Sequence, residues 1–361
     1  MTLEEPFRTD LDYYEGRAEG IASVKGVSVG EARRDLAARH GFGSWEALRQ
    51  HIEAMAAGEE PPTPFVLAYR ALEANDREGI VELLGRFPDL VVQRGTNGND
   101  LLGMAGSLEL VSLLLARGAD PNRGNDYGWT KLHQAGYSDD CELARLLLDA
   151  GARTDLFARG DGGTPLIAAL FWGHREVAGI LGREPGNLRV GAGLGDLDLI
   201  RELVGTPAAG AHRGFYRPHG GFPVWQPSDD PQEVLDEGLV WAAKADRVDA
   251  IRLLVELGAR VDADPYRGTP LTWAAANGRT ESLRTLVELG ADPNQRGTFG
   301  GPGHGEGVTA IHLAAQAGRR DAVVVLLELG ADPLLVDDLH GGTALGWAGV
   351  GGHEDLADVL G

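Results

Sequence analysis

A leucine-rich run followed by a Gly-Ala pair returns at near-regular intervals along this chain, and that periodicity restricts the fold more than any other feature. "LLLARGADPN" ends at residue 122, "LLLDAGARTD" at 155, "LLVELGARVD" at 262, "TLVELGADPN" at 294 and "VLLELGADPL" at 334. The glycines are Gly118, Gly151, Gly258, Gly290 and Gly330, with spacings of 33, 107, 32 and 40. A second motif precedes most of them: "TKLHQA" at 130, "TPLIAA" at 164, "TPLTWAA" at 269, "TAIHLAA" at 309 and "TALGWA" at 343. Thr caps a helix by accepting from an orphan backbone N–H, and Pro at the next position has its φ pre-set for the first turn. Leu and Ala at helical spacing give one narrow apolar face. A glycine such as Gly278 or Gly318 ends that helix, a second helix follows, and the Gly of the Gly-Ala pair takes the left-handed turn that closes it. One such helix pair has nothing to bury its apolar face against, whereas stacked copies bury each other's.

The residues Thr309-Ala-Ile-His312-Leu-Ala-Ala315 and Gly330-Ala-Asp-Pro333 resemble ankyrin repeats, whose period is about 33 and whose hallmark is T-P-L-H-x-A. The resemblance covers roughly residues 62 to 361 and implies an all-α ankyrin-repeat solenoid. About nine helix-pair units are expected, starting near Phe65, Asp100, Thr130, Thr164, Leu188, Asp236, Thr269, Thr309 and Thr343. His133 and His312, at the His of the motif, are expected to bridge neighbouring turns. Residues 1–60 do not repeat. "EARRDLAARHGFGSWEALRQHIEAM" (31–55) reads as two helices around a Gly-Phe-Gly-Ser turn with Ser44 as a cap. It resembles a short helical segment found ahead of bacterial ankyrin arrays, and its expected role is to shield the first repeat. The linker "AAGEEPPTP" (56–64) follows, and the array occupies 61–361.

Charge and composition narrow the function classes. The formal net charge is −21, from 33 Lys plus Arg against 54 Asp plus Glu. A field of that sign repels phosphate backbones and anionic lipid, so neither nucleic acid nor membrane is expected as a partner. The single cysteine, Cys141, excludes a disulfide within the chain and a cysteine-based zinc site, and points to a reducing compartment. The longest apolar stretch, near Ala322 to Leu327, is far below the ~20 residues of a membrane span. A cytoplasmic protein is expected, monomeric because a repeat stack needs no second subunit, with no cofactor and no bound metal. "VGAGLGD" (190–196) is not a dinucleotide loop: no strand precedes it and its glycines are spaced GxGxG. Gly191 and Gly193 there are expected to admit the backbone of a neighbouring long turn.

Two insertions break the period, at 206–232 and 297–307. The first contains "HRGFYRPHGGFPVWQPSDDPQ", rich in Pro, Gly, Arg, His and aromatics; the second is "GTFGGPGHGEG". Both fall where an ankyrin stack places its finger-like turns, so both are expected to leave one rim and bend over a shared hollow. Candidate ligand-binding residues are Arg213, Tyr216, Arg217 and Trp225 of the first insertion, and Asp264, Tyr266 and Arg267 of the finger between them. Trp241 and Trp273 join them, standing 32 residues apart where the repeat usually carries Leu. The arginines suit a carboxylate or phosphate on a small anionic or aromatic ligand. His212, His219, His304 and Glu306 are the candidate acid–base residues, although their spacing matches no metal motif. The leading expectation is a binding scaffold for a protein or ligand on the fingers and first helices of 206–310. The alternative is a small-molecule enzyme or carrier with a pocket roofed by both insertions.

Overall fold

The computed structural model describes residues 10–57, 62–95, 98–214, 227–300 and 304–361. Three helices come first: α1 (Leu11–Lys25), α2 (Val29–Arg39) and α3 (Trp45–Ala56). Nine helix pairs follow among the described residues. They are α4 and α5 (Pro64–Glu73, Arg77–Arg86), α6 and α7 (Leu101–Met104, Leu108–Ala116), and α8 and α9 (Lys131–Tyr137, Cys141–Asp149). Next come α10 and α11 (Pro165–Phe171, Arg175–Leu181), α12 and α13 (Leu188–Leu194, Leu197–Leu203), and α14 and α15 (Pro231–Lys244, Val248–Glu256). The last are α16 and α17 (Pro270–Ala276, Thr280–Glu288), α18 and α19 (Ala310–Gln316, Arg320–Glu328), and α20 and α21 (Ala344–Gly351, Ala357–Leu360). The all-α solenoid expected from the repeat is the fold. A short antiparallel ribbon, β1 (Gly297–Phe299) with β2 (Gly305–Val308), is added to it.

The motif residues act as the periodicity requires. Thr164 Oγ1 accepts from the N–H of Ile167 and Thr269 Oγ1 from that of Thr272, each followed by Pro at the first helical position. His312 Nδ1 accepts from the N–H of Thr309, and its Nε2–H donates to the carbonyls of Leu335 (3.0 Å) and Gly342 (3.1 Å) in the next finger. That bonding sets the tautomer, and burial pushes the imidazole below its ordinary value. Side chains at the finger roots tie the α16–α17 unit to the α18–α19 unit. Asp332 N–H donates to Asn294 Oδ1 at 2.8 Å, and Asn294 Nδ2 donates to the Gly330 carbonyl at 3.1 Å.

Contacts divide the chain into two compact units, one of residues 1–134 with 142–153, the other of 135–141 with 154–361. The N-terminal helices lie wholly within the first. Tyr14, Ile21, Leu36, Leu48 and Ile52 form their core, and Val66 of α4 enters it, so they share a core with the first repeat. Buried Arg39 donates to Asp126 at 2.6 Å, pinning the same helices to the finger after α7.

In the second unit the first helices converge. The sequence of α12, "LRVGAGL", is thin, and α10 packs against both α12 and α14 across it. A Cβ at Gly193 would meet the Leu170 side chain at 3.0 Å, and one at Gly191 would meet Ile200 at 3.3 Å. Among the described residues these glycines therefore admit side chains of neighbouring helices, where the long turn was expected to approach them. Gly173, just past α10 with φ of 69°, is still tighter, since a Cβ there would lie 2.6 Å from the Lys244 carbonyl. Arg279 Nη2 donates to the Gly173 carbonyl at 2.8 Å across 106 residues of sequence.

Candidate functional site

The convergence encloses a lysine in aromatic rings. Phe171 ends α10, Trp241 and Lys244 stand three residues apart on α14, and Trp273 is on α16. Lys244 Nζ lies 3.6 Å from the Phe171 ring centroid, 3.7 Å from that of Trp273 and 4.9 Å from that of Trp241. The Phe171 and Trp273 rings, from helices three units apart, sit 5.5 Å from each other at 76°. Lys244 is 0% exposed, and its Nζ has no hydrogen-bond partner among the described residues. Two effects compete over its charge. Each ring face favours an ammonium by roughly 0.5–2 kcal/mol. Removing an ion from water costs several kcal/mol even after relaxation. Desolvation is the larger, and it pushes the amine well below its ordinary value; the nearby Arg189 charge acts the same way and Glu237 opposes both.

Beside the box is a buried ion network. Glu237, one turn before Trp241 on α14, takes Arg189 Nη2 on one oxygen at 2.5 Å and Arg213 Nη1 on the other at 2.6 Å. The Arg189 guanidinium also lies 4.8 Å over the Trp241 ring and donates to the Arg213 carbonyl at 2.8 Å. Arg213 bonds further to the carbonyls of Gly210 and Ser228 and reaches Glu233 at 3.4 Å. It thereby ties the two ends of the first insertion together. Two arginines face one buried and one half-buried carboxylate, so the network balances without Lys244. Next to it on α14, buried Asp236 accepts from Arg260 Nε (2.8 Å), Arg260 Nη2 (2.6 Å) and Gln232 Nε2 (2.9 Å).

The second insertion is a two-stranded ribbon held by its neighbouring finger. Arg267 pairs with Glu306 at 2.7 Å and donates to the carbonyls of Gly300 (2.7 Å), Phe299 (3.2 Å) and Gly305 (3.2 Å). Asp264 Oδ2 accepts from Thr298 N–H at 2.8 Å and Thr298 Oγ1–H at 2.6 Å. Phe299 packs on Trp273 at 4.7 Å. Half-buried His304 lies between Phe299 (5.9 Å) and Trp347 (5.7 Å), and burial lowers its pKa.

Asp264, Arg267, Trp273 and Glu306 are thus brought together, as the fastening of the ribbon, and Tyr266 is buried beside them. Arg213 and Arg267, expected to meet an anion, are both engaged by the protein's own carboxylates and carbonyls. Trp241 and Trp273 are buried, in the box. His212 is on neither ribbon nor box: its Nδ1 is 2.7 Å from Asp161 Oδ1 and its ring packs on Phe157. Tyr216, Arg217, His219 and Trp225 lie outside the described residues. Among the described residues no three His, Cys, Asp or Glu side chains are grouped to hold a metal ion. The sequence reading missed Phe171, Arg189, Glu237 and Lys244. Their signal was alignment: set Trp241 on Trp273, and Lys244 falls on Ala276 and Glu237 on Thr269, charges where the next unit has a small and a capping residue.

Comparison with known proteins agrees with this architecture. A profile described as ankyrin repeats (3 copies) matches residues 101–192 and 188–297, and one described as ankyrin repeats (many copies) matches 271–327. Mouse protein phosphatase 1 regulatory subunit 27 is 36% identical over 99 residues, covering 25% of this chain and 62% of that protein. Mouse protein fem-1 homolog A-like is 39% identical over 79 residues, 22% of this chain and 12% of the relative. The E3 ubiquitin-protein ligase Ufd4 of Drosophila melanogaster is 43% identical over 95 residues, 25% of this chain and 3% of the relative. The chain spans less than two thirds of each of these proteins. They are animal proteins, and give no support to the bacterial type expected from the N-terminal segment. With over half its length matched by the repeat profile and nine helix pairs in register, the chain belongs to the ankyrin-repeat family.

Proposed function

We propose that this chain is a protein-binding scaffold whose partner seats along the finger edge of the units between 262 and 343. The observation that carries this reading is the finger before α20. Leu334, Val336 and Leu339 are 75%, 42% and 43% exposed there. The turn that displays them is rigid: Asp337 accepts from the N–H groups of Leu339 (2.9 Å), His340 (2.6 Å) and Gly342 (2.8 Å) and from Trp347 Nε1–H (2.9 Å). Exposed apolar side chains held on a pre-ordered turn are what a partner's core contact requires. Trp241 and Trp273 stiffen the array from inside, and Arg267 fixes the ribbon beside the same edge. One relative is named a regulatory subunit and another a ligase, names that fit repeats used to hold another protein. The enzyme alternative, a pocket roofed by 206–232 and 297–307, draws on His212, His304, Glu306 and Arg267, of which Arg267 and Glu306 pair with each other and His212 with Asp161, and on Arg217 and His219, which lie outside the described residues.

The test uses the full chain immobilised as bait, with Leu334→Glu/Leu339→Glu and Lys244→Met as variants. Proteins retained by the parent and by Lys244→Met, and lost by the finger variant, support the reading. Equal retention by the finger variant sinks it.

A further inference from the structure

The α12–α13 unit is built short. Its second helix has seven residues where that of the next unit has nine, and "LVGTP" (203–207) stands where later units read "LVELGA". Among the described residues the missing turn leaves one flank of α14 uncovered, and a half-enclosed groove of about 690 Å³ opens there. Its apolar lining includes Leu188, Val234, Leu235, Leu257, Pro207 and Pro231. Volume and lining fall in the range of small-molecule sites, about 300–1,000 Å³.

The polar lining is one-sided. Both hydrogens of the Gln232 amide are engaged, on Asp236 Oδ1 (2.9 Å) and the Gly258 carbonyl (3.0 Å). The Thr206 hydroxyl donates to the Leu203 carbonyl at 2.7 Å. The N–H groups of Thr206, Ala209, Gln232 and Val234 are bonded within the protein, and Pro207 and Pro231 have none. Asp230 caps the start of α14, so that helix end does not offer those amides to an anion. Among the described lining side chains the polar atoms not already donating are acceptors: the Asp229 carboxylate, Gln232 Oε1 and the lone pairs of Thr206 Oγ1. These acceptors suit a ligand that brings donors, and among the described lining residues the only charge, that of Asp229, is negative.

We propose that this groove binds a small amphipathic cation, an apolar body lying on Val234 and Leu235 with an ammonium or guanidinium end against Asp229. The inference is independent of the protein-scaffold reading. The experiment titrates methyl-labelled full chain with phenylbutylamine and, separately, with phenylbutyrate, which has the same body and the opposite charge. The amine is expected to shift the methyl resonances of Val234, Leu235 and Leu257 saturably and about tenfold or more tightly than the carboxylate, a difference of about 1.4 kcal/mol. Asp229→Lys is exposed and is expected to fold; it should reverse the preference, with the Ile311 and Leu313 methyls as the check on folding. Equal binding of the two probes, shifts confined to other methyls, no saturable shift, or an unchanged preference in Asp229→Lys would each overturn the proposal.

Discussion

Replacing Lys244 by Met tests the reading of the aromatic box most directly. Met keeps the length and nearly the volume of the side chain and removes only the ionisable end, so the rings keep their packing partner. The amine it replaces is wholly buried, without a hydrogen bond among the described residues, and held well below its ordinary value by desolvation. Substituting buried ionic groups by apolar ones of similar volume is often neutral or stabilising by about 1–4 kcal/mol, and gain is expected here. The pH dependence carries the sign. In the unfolded chain the amine is protonated up to about 10.4, whereas the folded chain releases that proton lower. Between the two values the unfolded state binds more protons, so parent stability rises with pH. The advantage of Lys244→Met is therefore larger at pH 7 than at pH 10 and shrinks as pH approaches about 10.4. Urea unfolding followed by tryptophan fluorescence at pH 7 and pH 10 measures both. Lys244→Ala, which leaves a cavity among the three rings, should instead destabilise by about 2–4 kcal/mol. If Lys244→Met destabilises by more than about 1 kcal/mol at pH 7 with no change at pH 10, the rings are holding an ammonium and the desolvation argument is wrong.

Other consequences are separately measurable. Arg267→Ala removes an ion pair and three carbonyl contacts from the ribbon; amide exchange over 297–308 should accelerate while global stability falls by only about 1 kcal/mol, since Glu306 is partly solvated. His40 is buried, and burial with the adjacent Arg39 and His51 charges lowers its pKa to about 3. The fold therefore favours its neutral form, with a contribution complete above the ordinary value of about 6.5 and lost as pH falls toward 3. Exchange in α1–α3 should rise through that window, and His40→Gln should flatten the rise. Asp337→Asn sets an amide among four N–H donors and should cost about 1–3 kcal/mol, measured as a lower urea midpoint. Because Asp337 is held at about 2 by its donors, against an ordinary value of about 3.9, the parent's advantage is present above 3.9 and fades as pH drops toward 2.

What the repeat motifs made readable was local. Thr164, Thr269 and Thr343 announce their helices because a cap acts over three residues, and Gly258, Gly290 and Gly330 announce their ends because φ near +100° suits little but glycine. Asp264, Arg267 and Glu306 were singled out because they occupy adjacent fingers, and Trp273 because it stands on the first helix between them. Their role was not legible: the same guanidinium fits a ligand carboxylate or Glu306 equally well, and only the ribbon's path decides. The place of the insertions between one helix pair and the next was readable, but the pairing of Thr298 with Glu306 was not, since glycine-rich strands carry no alternation.

The box lies beyond any local pattern. Each unit, taken alone, prescribes two helices and a turn, and the chain determined that much through hydrogen bonds spanning three or four residues. Whether Phe171 meets Trp273 depends on how far α10 and α16 close over the thin α12, a sum of small rotations that no single unit encodes. That closure excluded water from Lys244 and turned a residue that reads as one more surface cation into a buried amine.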